Sequence, residues 1–176
     1  GNKTAAFSIY GSEPDVIKVE AVRVVEGRFL NALDLHDERK VCVIGEQVVD
    51  RLFEQEDPMG TYIRISGVYF KVVGRMRKKS SAQMGDNPDA KIYVPFTTFQ
   101  KAFNSMNIVH WYNLIAKPGV QVSEVERGVK KLMARKHKVD PTDENAFGSF
   151  NMQDMYQKMN LLFLAISSIM GTSGRA

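Results

Sequence analysis

The stretch from Val25 to Gly74 constrains the fold of this chain more than any other. Short β-branched runs, one compact amphipathic segment and glycine-bearing turns follow one another there with almost no spacer. Lys40-Val41-Cys42-Val43-Ile44 is a strand by its β-branched content. Gly45 opens a helix with Glu46 in its first turn, and Val48, Val49, Leu52 and Phe53 recur on one face of it. Asp57-Pro58-Met59-Gly60 reads as a turn, because proline presets its early backbone angle. Tyr62-Ile63-Arg64-Ile65 and Tyr69-Phe70-Lys71-Val72-Val73 flank Ser66-Gly67, a hairpin signal, and Gly74 bends or ends the second strand. Strands this short, mixed with helices of one or two turns, predict an α+β domain with a mixed or antiparallel sheet.

The rest of the chain extends the pattern. Residues 4–10 and Val16–Val25 read as extended runs, separated from the next element by Glu26-Gly27-Arg28-Phe29. Asp34–Arg39 reads as a polar loop, and Lys78–Ala90 as a mobile surface loop rich in Ser, Gly, Asn and Pro. Lys91–Pro95 is predicted as a strand, 97–103 as a short helix, and His110–Ala116 as another strand, with the aromatic residues Tyr62, Tyr69, Phe70, Tyr93, Trp111 and Tyr112 in the core. Ser123 and Glu126 have capping-box spacing before a helix with Val125, Val129, Leu132 and Met133 on one side, and Val139–Phe150 reads as a loop.

The last helix is of another kind. Asn151 can cap it. Met152, Met155, Met159, Leu162, Ile166 and Ile169 then recur at steps of three and four, close to a heptad seam. Gln153, Asp154, Gln157, Lys158 and Asn160 precede the apolar run Leu161–Met170, and no charge lies within that run. The run is shorter than the roughly 20 residues that cross a bilayer. A helix that begins polar and ends apolar fits a projecting C-terminal stalk that enters a membrane. The domain expectation is therefore an α+β body over 1–150, a stalk over 151–170 leading into a transmembrane segment, and a linker over 171–176. The polar start Gly1-Asn2-Lys3-Thr4 shows no signal-peptide pattern, and the chain reads as a piece of a longer membrane-embedded one.

The sequence carries no recognisable pattern for chemistry. The net charge of +4 is spread out, and the basic stretches Arg75–Lys79 and Lys130–Lys138 lack the interleaved aromatic residues of a nucleic-acid site. His36, His110 and His137 have no metal-ligand spacing, and one cysteine, Cys42, permits no internal disulfide. No G-x-S-x-G elbow, phosphate loop or dinucleotide fingerprint occurs. No catalytic, metal-binding or cofactor-binding residue is expected, and no cofactor.

Five segments in order, Glu26-Gly27-Arg28-Phe29 with Asp34, Val43-Ile44-Gly45-Glu46 with Leu52-Phe53, Asp57-Pro58-Met59-Gly60, Phe70-Lys71-Val72-Val73-Gly74 and Ile92-Tyr93-Val94-Pro95, together resemble the extracytoplasmic core domain of ABC-transporter permeases of the macrolide-exporter and lipoprotein-releasing type. The resemblance implies a two-lobed α+β domain in an inner-membrane permease, on the periplasmic side between the first and second membrane helices. It implies a second permease copy, a cytoplasmic ATPase subunit or domain, and a periplasmic adaptor or cargo protein as partners. The domain's work would be to couple ATP-driven motion to the movement of cargo (drug export, lipoprotein release or regulation of cell-wall hydrolases). The family-motif positions are Gly27, Arg28, Phe29, Asp34, Gly45, Leu52, Phe53, Asp57, Pro58, Gly60, Val73, Gly74 and Pro95. The competing readings are a soluble or tethered periplasmic protein-binding module without a transport role, and a small enzyme. In two respects the sequence departs from the family: a β–α portion that ordinarily precedes residues 4–10 is not matched, nor are the macrolide exporter's adaptor-binding features.

Overall fold

The structure is a computed structural model that describes residues 3–54, 56–79, 87–140, 143 and 146–172, with the side chains of the last helix described to residue 167. The expected loop at 80–86, Pro141 and the expected linker at 173–176 lie outside the described residues. The chain divides into two compact units, Gly1–Asn113 and Leu114–Ala176.

The first unit is built on a mixed sheet of six strands: β1 (Ser8–Ser12), β2 (Val22–Gly27), β3 (Val41–Gly45), β4 (Tyr62–Ile65), β5 (Val68–Lys78) and β6 (Lys91–Pro95). Their order is β1-β6-β3-β5-β2, with β4 also paired to β5. β1 runs parallel to β6 and β3 parallel to β5, while β2, β4 and the β3–β6 pair are antiparallel. β3 and β6 are buried at every position, as their apolar sequences demand of central strands.

β5 is the spine. It borders β3 on one edge and carries β4 and then β2 along the other. A bulge in the β3–β5 register pairs Cys42 with Val72 but Val43 with Gly74, which reverses the alternation of β5 at Val73. Phe70 and Val72 therefore join the core with Cys42, Ile44, Ile63, Ile65, Ile92 and Val94, whereas Met76 joins Val22, Val41, Val43 and Tyr93 on the opposite face. Helices α3 (Glu46–Leu52) and α4 (Phe96–Ala102) supply Val48, Val49 and Phe99 to the first face; α1 (Val16–Val19) and Phe29 cover part of the second.

Several expectations are corrected. Val16–Val25 is not one extended run. α1 forms because the Lys18 and Glu20 amides donate to the carbonyls of Asp15 and Val16, and β2 starts only at Val22. Within the expected polar loop lies α2 (Ala32–His36), started by a reciprocal cap in which Asn31 and Asp34 each accept from the other's backbone amide. Residues 88–90 form a 3₁₀ turn with Pro88 and Asp89 buried, so the latter part of the expected loop is packed. His110–Ala116 is not a strand; it pairs with no strand among the described residues, and Trp111 is 82% exposed and Tyr112 59%. Tyr62 and Tyr69 are strand residues on the open side of their pleat, and also exposed.

The second unit contains α5 (Val122–His137) and α6 (Met152–Thr172). α5 begins one residue before Ser123, from Gln121, with no side-chain cap; the expected Ser123–Glu126 box does not form because Glu126 is turned to other partners. Asn151 does cap α6, its Oδ1 accepting from the amides of Gln153 and Asp154.

Candidate functional site

The motif positions draw together most closely around the middle of β5. Gly27 ends β2 at φ 70°, and the Arg28 amide behind it donates to Val73 O at 3.0 Å. From the other side comes the turn after α3. Asp57 Oδ1 accepts from the Met59 amide at 2.8 Å, Thr61 Oγ1 donates to Pro58 O, and the Gly60 amide donates to Val72 O at 2.9 Å. Side chains have no room where these segments meet. A Cβ on Gly74 would lie 2.0 Å from Arg28 O, and one on Gly27 2.4 Å from Val73 O and 2.5 Å from Met59 Cε. The glycines are thus explained by close backbone approach.

Arg28 then turns to the buried Asp34, pairing with both carboxylate oxygens at 2.5 and 2.9 Å. Asn31 N donates to the same carboxylate and Arg39 stands 3.8 Å away. Burial by itself would raise the Asp34 carboxyl; the Arg28 and Asn31 hydrogen bonds and the charges of Arg28 and Arg39 outweigh it and hold the group below the ordinary aspartate value. Phe29 packs 5.8 Å from the Tyr93 ring. Leu52 and Phe53 enter the core below α3, and Pro58 is fully buried. Gly45 and Pro95 stand apart from this junction, at the ends of β3 and β6; a Cβ on Gly45 would meet the carbonyls of Pro88 and Asp89.

Two buried polar groups escaped sequence reasoning. Lys91, 6% exposed, lies 3.3 Å from the Glu20 carboxylate and 4.7 Å above the Tyr10 ring, and Tyr93 Oη donates to the same Glu20. Asp89 accepts from the Lys78 amide at 2.8 Å and closes the end of β5. A lysine at the first position of an apolar strand gave no hint that its head is buried. Beside them, Glu46 at the start of α3 bridges Arg75 and Arg77, and Glu26 reaches Arg75 across the sheet.

This arrangement holds backbone together and presents little for chemistry. His36 is exposed beside Asp37, and Cys42 is fully buried, which pushes its thiol far up. Among the described residues no group of three or more His, Cys, Asp or Glu could hold a metal. Open depressions mark the described surface. One of about 250 Å³ is lined by Glu38, Lys40, Thr98 and Lys101, with Lys101 paired to Glu38. Another, of about 450 Å³, lies at Glu13, Pro14, Asp15 and Ala32, where burial and then the Asp15 charge raise the Glu13 carboxyl.

In the second unit Glu126 accepts from Ser149 Oγ at 2.5 Å and Asn151 Nδ2 at 3.3 Å, and pairs with Lys130 at 3.1 Å. The Ser149 bond first, then Lys130 and Asn151, lower its carboxyl. Gln153 Oε1 accepts from the Val122 amide, so the starts of α5 and α6 are tied to each other. Along α6, Met155 and Met159 are half-buried and Met152, Leu162 and Ile166 exposed; Leu161, Phe163 and Leu164 are each more than 60% exposed. Among the described residues no helix is long and apolar enough to cross a membrane.

Comparison with known proteins agrees with this fold. The chain is 28% identical over 172 residues to the macrolide export ATP-binding/permease protein MacB of Bdellovibrio bacteriovorus, covering 97% of the chain and 26% of that protein. It is 29% identical over 175 residues to the pyoverdine export ATP-binding/permease protein PvdT of Pseudomonas aeruginosa, covering 98% and 26%. The chain thus spans about a quarter of the length of the curated relatives it matches. The periplasmic region of MacB from Actinobacillus actinomycetemcomitans superposes with a TM-score of 0.69 at 20% identity, over 91% of this chain and 69% of that one. The extracellular domain of the transporter YknZ from Gram-positive bacteria gives 0.65 at 16% identity, over 80% and 70%. Both share the mixed α+β fold. Residues 1–132 match the sequence profile of the MacB-like periplasmic core domain. The chain therefore belongs to the MacB-like periplasmic core domain family.

Proposed function

We propose that this chain is the extracytoplasmic part of an inner-membrane ABC-transporter permease, and that it works without catalysis as a mechanical coupler. ATP would be hydrolysed by a separate cytoplasmic domain or subunit, and the resulting motion would reach this domain through α6. Residues 151–170 act as the stalk, with Met152, Met155, Met159, Leu162 and Ile166 as its seam, leading into a transmembrane segment. A second permease copy stands opposite, and cargo or a periplasmic adaptor is met outside the membrane. The thirteen motif positions serve this work structurally, most of them by locking the turns and strands around β5 and the remaining two, Gly45 and Pro95, by closing the ends of β3 and β6. The observation that carries the reading is α6 itself. It is capped and tied to α5 at its polar start, and the apolar side chains of Leu161, Leu162, Phe163, Leu164 and Ile166 are exposed along its described part. A free-standing binding module would have no use for that exposed stretch.

The experiment is disulfide trapping in the membrane-embedded transporter. Met159→Cys should cross-link between the two copies, and the yield should change when ATP replaces a nucleotide-free state. A yield indifferent to ATP, with transport intact, refutes coupling through α6.

A further inference from the structure

We infer that the open face of the β4–β5 hairpin is a docking surface for an extended acidic segment of a partner protein. This rests on the reading of the domain as a place where cargo or partner proteins are met, and it names the surface and its chemistry. In the hairpin register Tyr62 opposes Lys71 and Arg64 opposes Tyr69. Opposed residues share a face, so two tyrosines and two cations form a checkerboard, while Ile63, Ile65 and Phe70 point into the core and hold the hairpin rigid. Tyr62 is 63% and Tyr69 58% exposed, and Arg64 and Lys71 are exposed too. The turn is tight, with Ser66 and Gly67 both at positive φ, so little ordering remains to be done on binding.

Charge selects the occupant. From Met59 to Lys79 there are six basic residues and no acidic one. Arg75, Arg77 and Lys78 are matched by Glu26, Glu46 and Asp89. Arg64 and Lys71 have no ion-pair partner among the described residues. They lie on a diagonal of the ladder, a separation of about 7–8 Å. Alternate residues of an extended chain are about 6.5–7 Å apart on one face. Acidic side chains at every second position of an extended segment therefore meet both cations at once. The tyrosine rings offer flat, partly apolar contact between them, the composition that anchors protein interfaces.

The test uses the full 176-residue chain and a fluorescein-labelled peptide of alternating aspartate and valine, followed by anisotropy. Controls are a peptide of alternating lysine and valine, a peptide of the first composition with its aspartates in one block, and vesicles containing phosphatidylglycerol. The alternating acidic peptide should bind, and Arg64→Ser with Lys71→Ser should weaken it by about tenfold or more. Tyr62→Ser with Tyr69→Ser should do the same, and Arg64→Lys with Lys71→Arg should retain binding. Thermal melts of each variant establish that the fold is kept. No binding of the alternating acidic peptide, equal binding by the serine variants, equal binding of the blocked peptide, or vesicle binding through these four residues without peptide binding would overturn the inference. Failure of ATP-dependent cross-linking at residue 159 would refute coupling and leave this titration unaffected.

Discussion

Exchanging one hydrogen for a methyl group should have opposite effects at two glycines. At Gly74 the methyl carbon would sit 2.0 Å from Arg28 O, a backbone atom, whereas non-bonded heavy atoms approach to about 3.5 Å. Relief requires β2 and β5 to part by on the order of 1.5 Å. That movement stretches the Arg28 amide bond to Val73 O, now 3.0 Å, and disturbs the Arg28–Asp34 pair behind it. Crowding of a packed site costs about 1–3 kcal/mol. A buried amide left without its acceptor adds about 1–3 kcal/mol. Reduced freedom of the unfolded chain returns only about 0.4–1 kcal/mol. Gly74→Ala should thus lose about 3 kcal/mol, the net of the midpoints of these estimates. Gly128 lies inside α5, and nothing is within 4 Å of an added Cβ. Gly128→Ala should strengthen its helix by about 0.8–1 kcal/mol. Urea titrations followed by far-UV circular dichroism measure the first change, and amide exchange along α5 measures the second. If Gly74→Ala unfolds within about 0.5 kcal/mol of the parent, as an unconstrained surface change would, the backbone junction around β5 does not have the tightness argued for it.

Other perturbations test separate parts. Asp34 has a folded pKa below its unfolded value, so its contribution is complete above an unfolded pKa of about 3.9 and is lost as pH falls through the lower, folded value. Asp34→Asn should be less stable than the parent at neutral pH, and the gap should narrow below about pH 4 in acid titrations read by circular dichroism; a constant gap refutes the ion-pair account. Cys42 should not react with Ellman's reagent in the folded protein and should react fully in urea, since burial both shields the thiol and disfavours its thiolate. Lys91→Met removes the cation beside Glu20 and should cost about 1–3 kcal/mol in urea titration; Glu20→Gln with Lys91→Met should recover part of that loss, because no unpaired carboxylate then remains.

What the sequence made legible depends mostly on neighbours in the chain. The β3–α3 unit, the hairpin and the Asn151 cap of α6 follow from alternation, glycine placement and side-chain-to-backbone spacing within a few residues. Most of the errors concern partners far along the chain. Tyr62 and Tyr69 alternate correctly, but alternation cannot say which side of a sheet is covered. Val16–Val25 contains enough β-branched residues for a strand, yet Glu20 is drawn to Lys91 across 71 positions and the chain folds into α1 before β2 begins. His110–Ala116 has strand composition, and composition alone supplies no partner to bond with. The reciprocal cap of Asn31 and Asp34 was present in the sequence as an N-x-x-D spacing and was obscured by the charged residues that follow it. The motif positions were legible as a set before their reason was. Only the structure shows that two turns separated by thirty residues close on the same strand.

The bulge at Val73 also makes pairing register unforgiving at that point. Were β5 to pair with β3 straight through Val73, everything beyond it would turn to the wrong side. Met76 would then stand beside the carboxylate of Glu46, and Arg75 and Arg77 would be driven among Val22, Val43 and Tyr93. Deleting Val73 would instead leave Val72 opposite Cys42 and Gly74 opposite Val43, so the surplus residue can go while the faces beyond it stay.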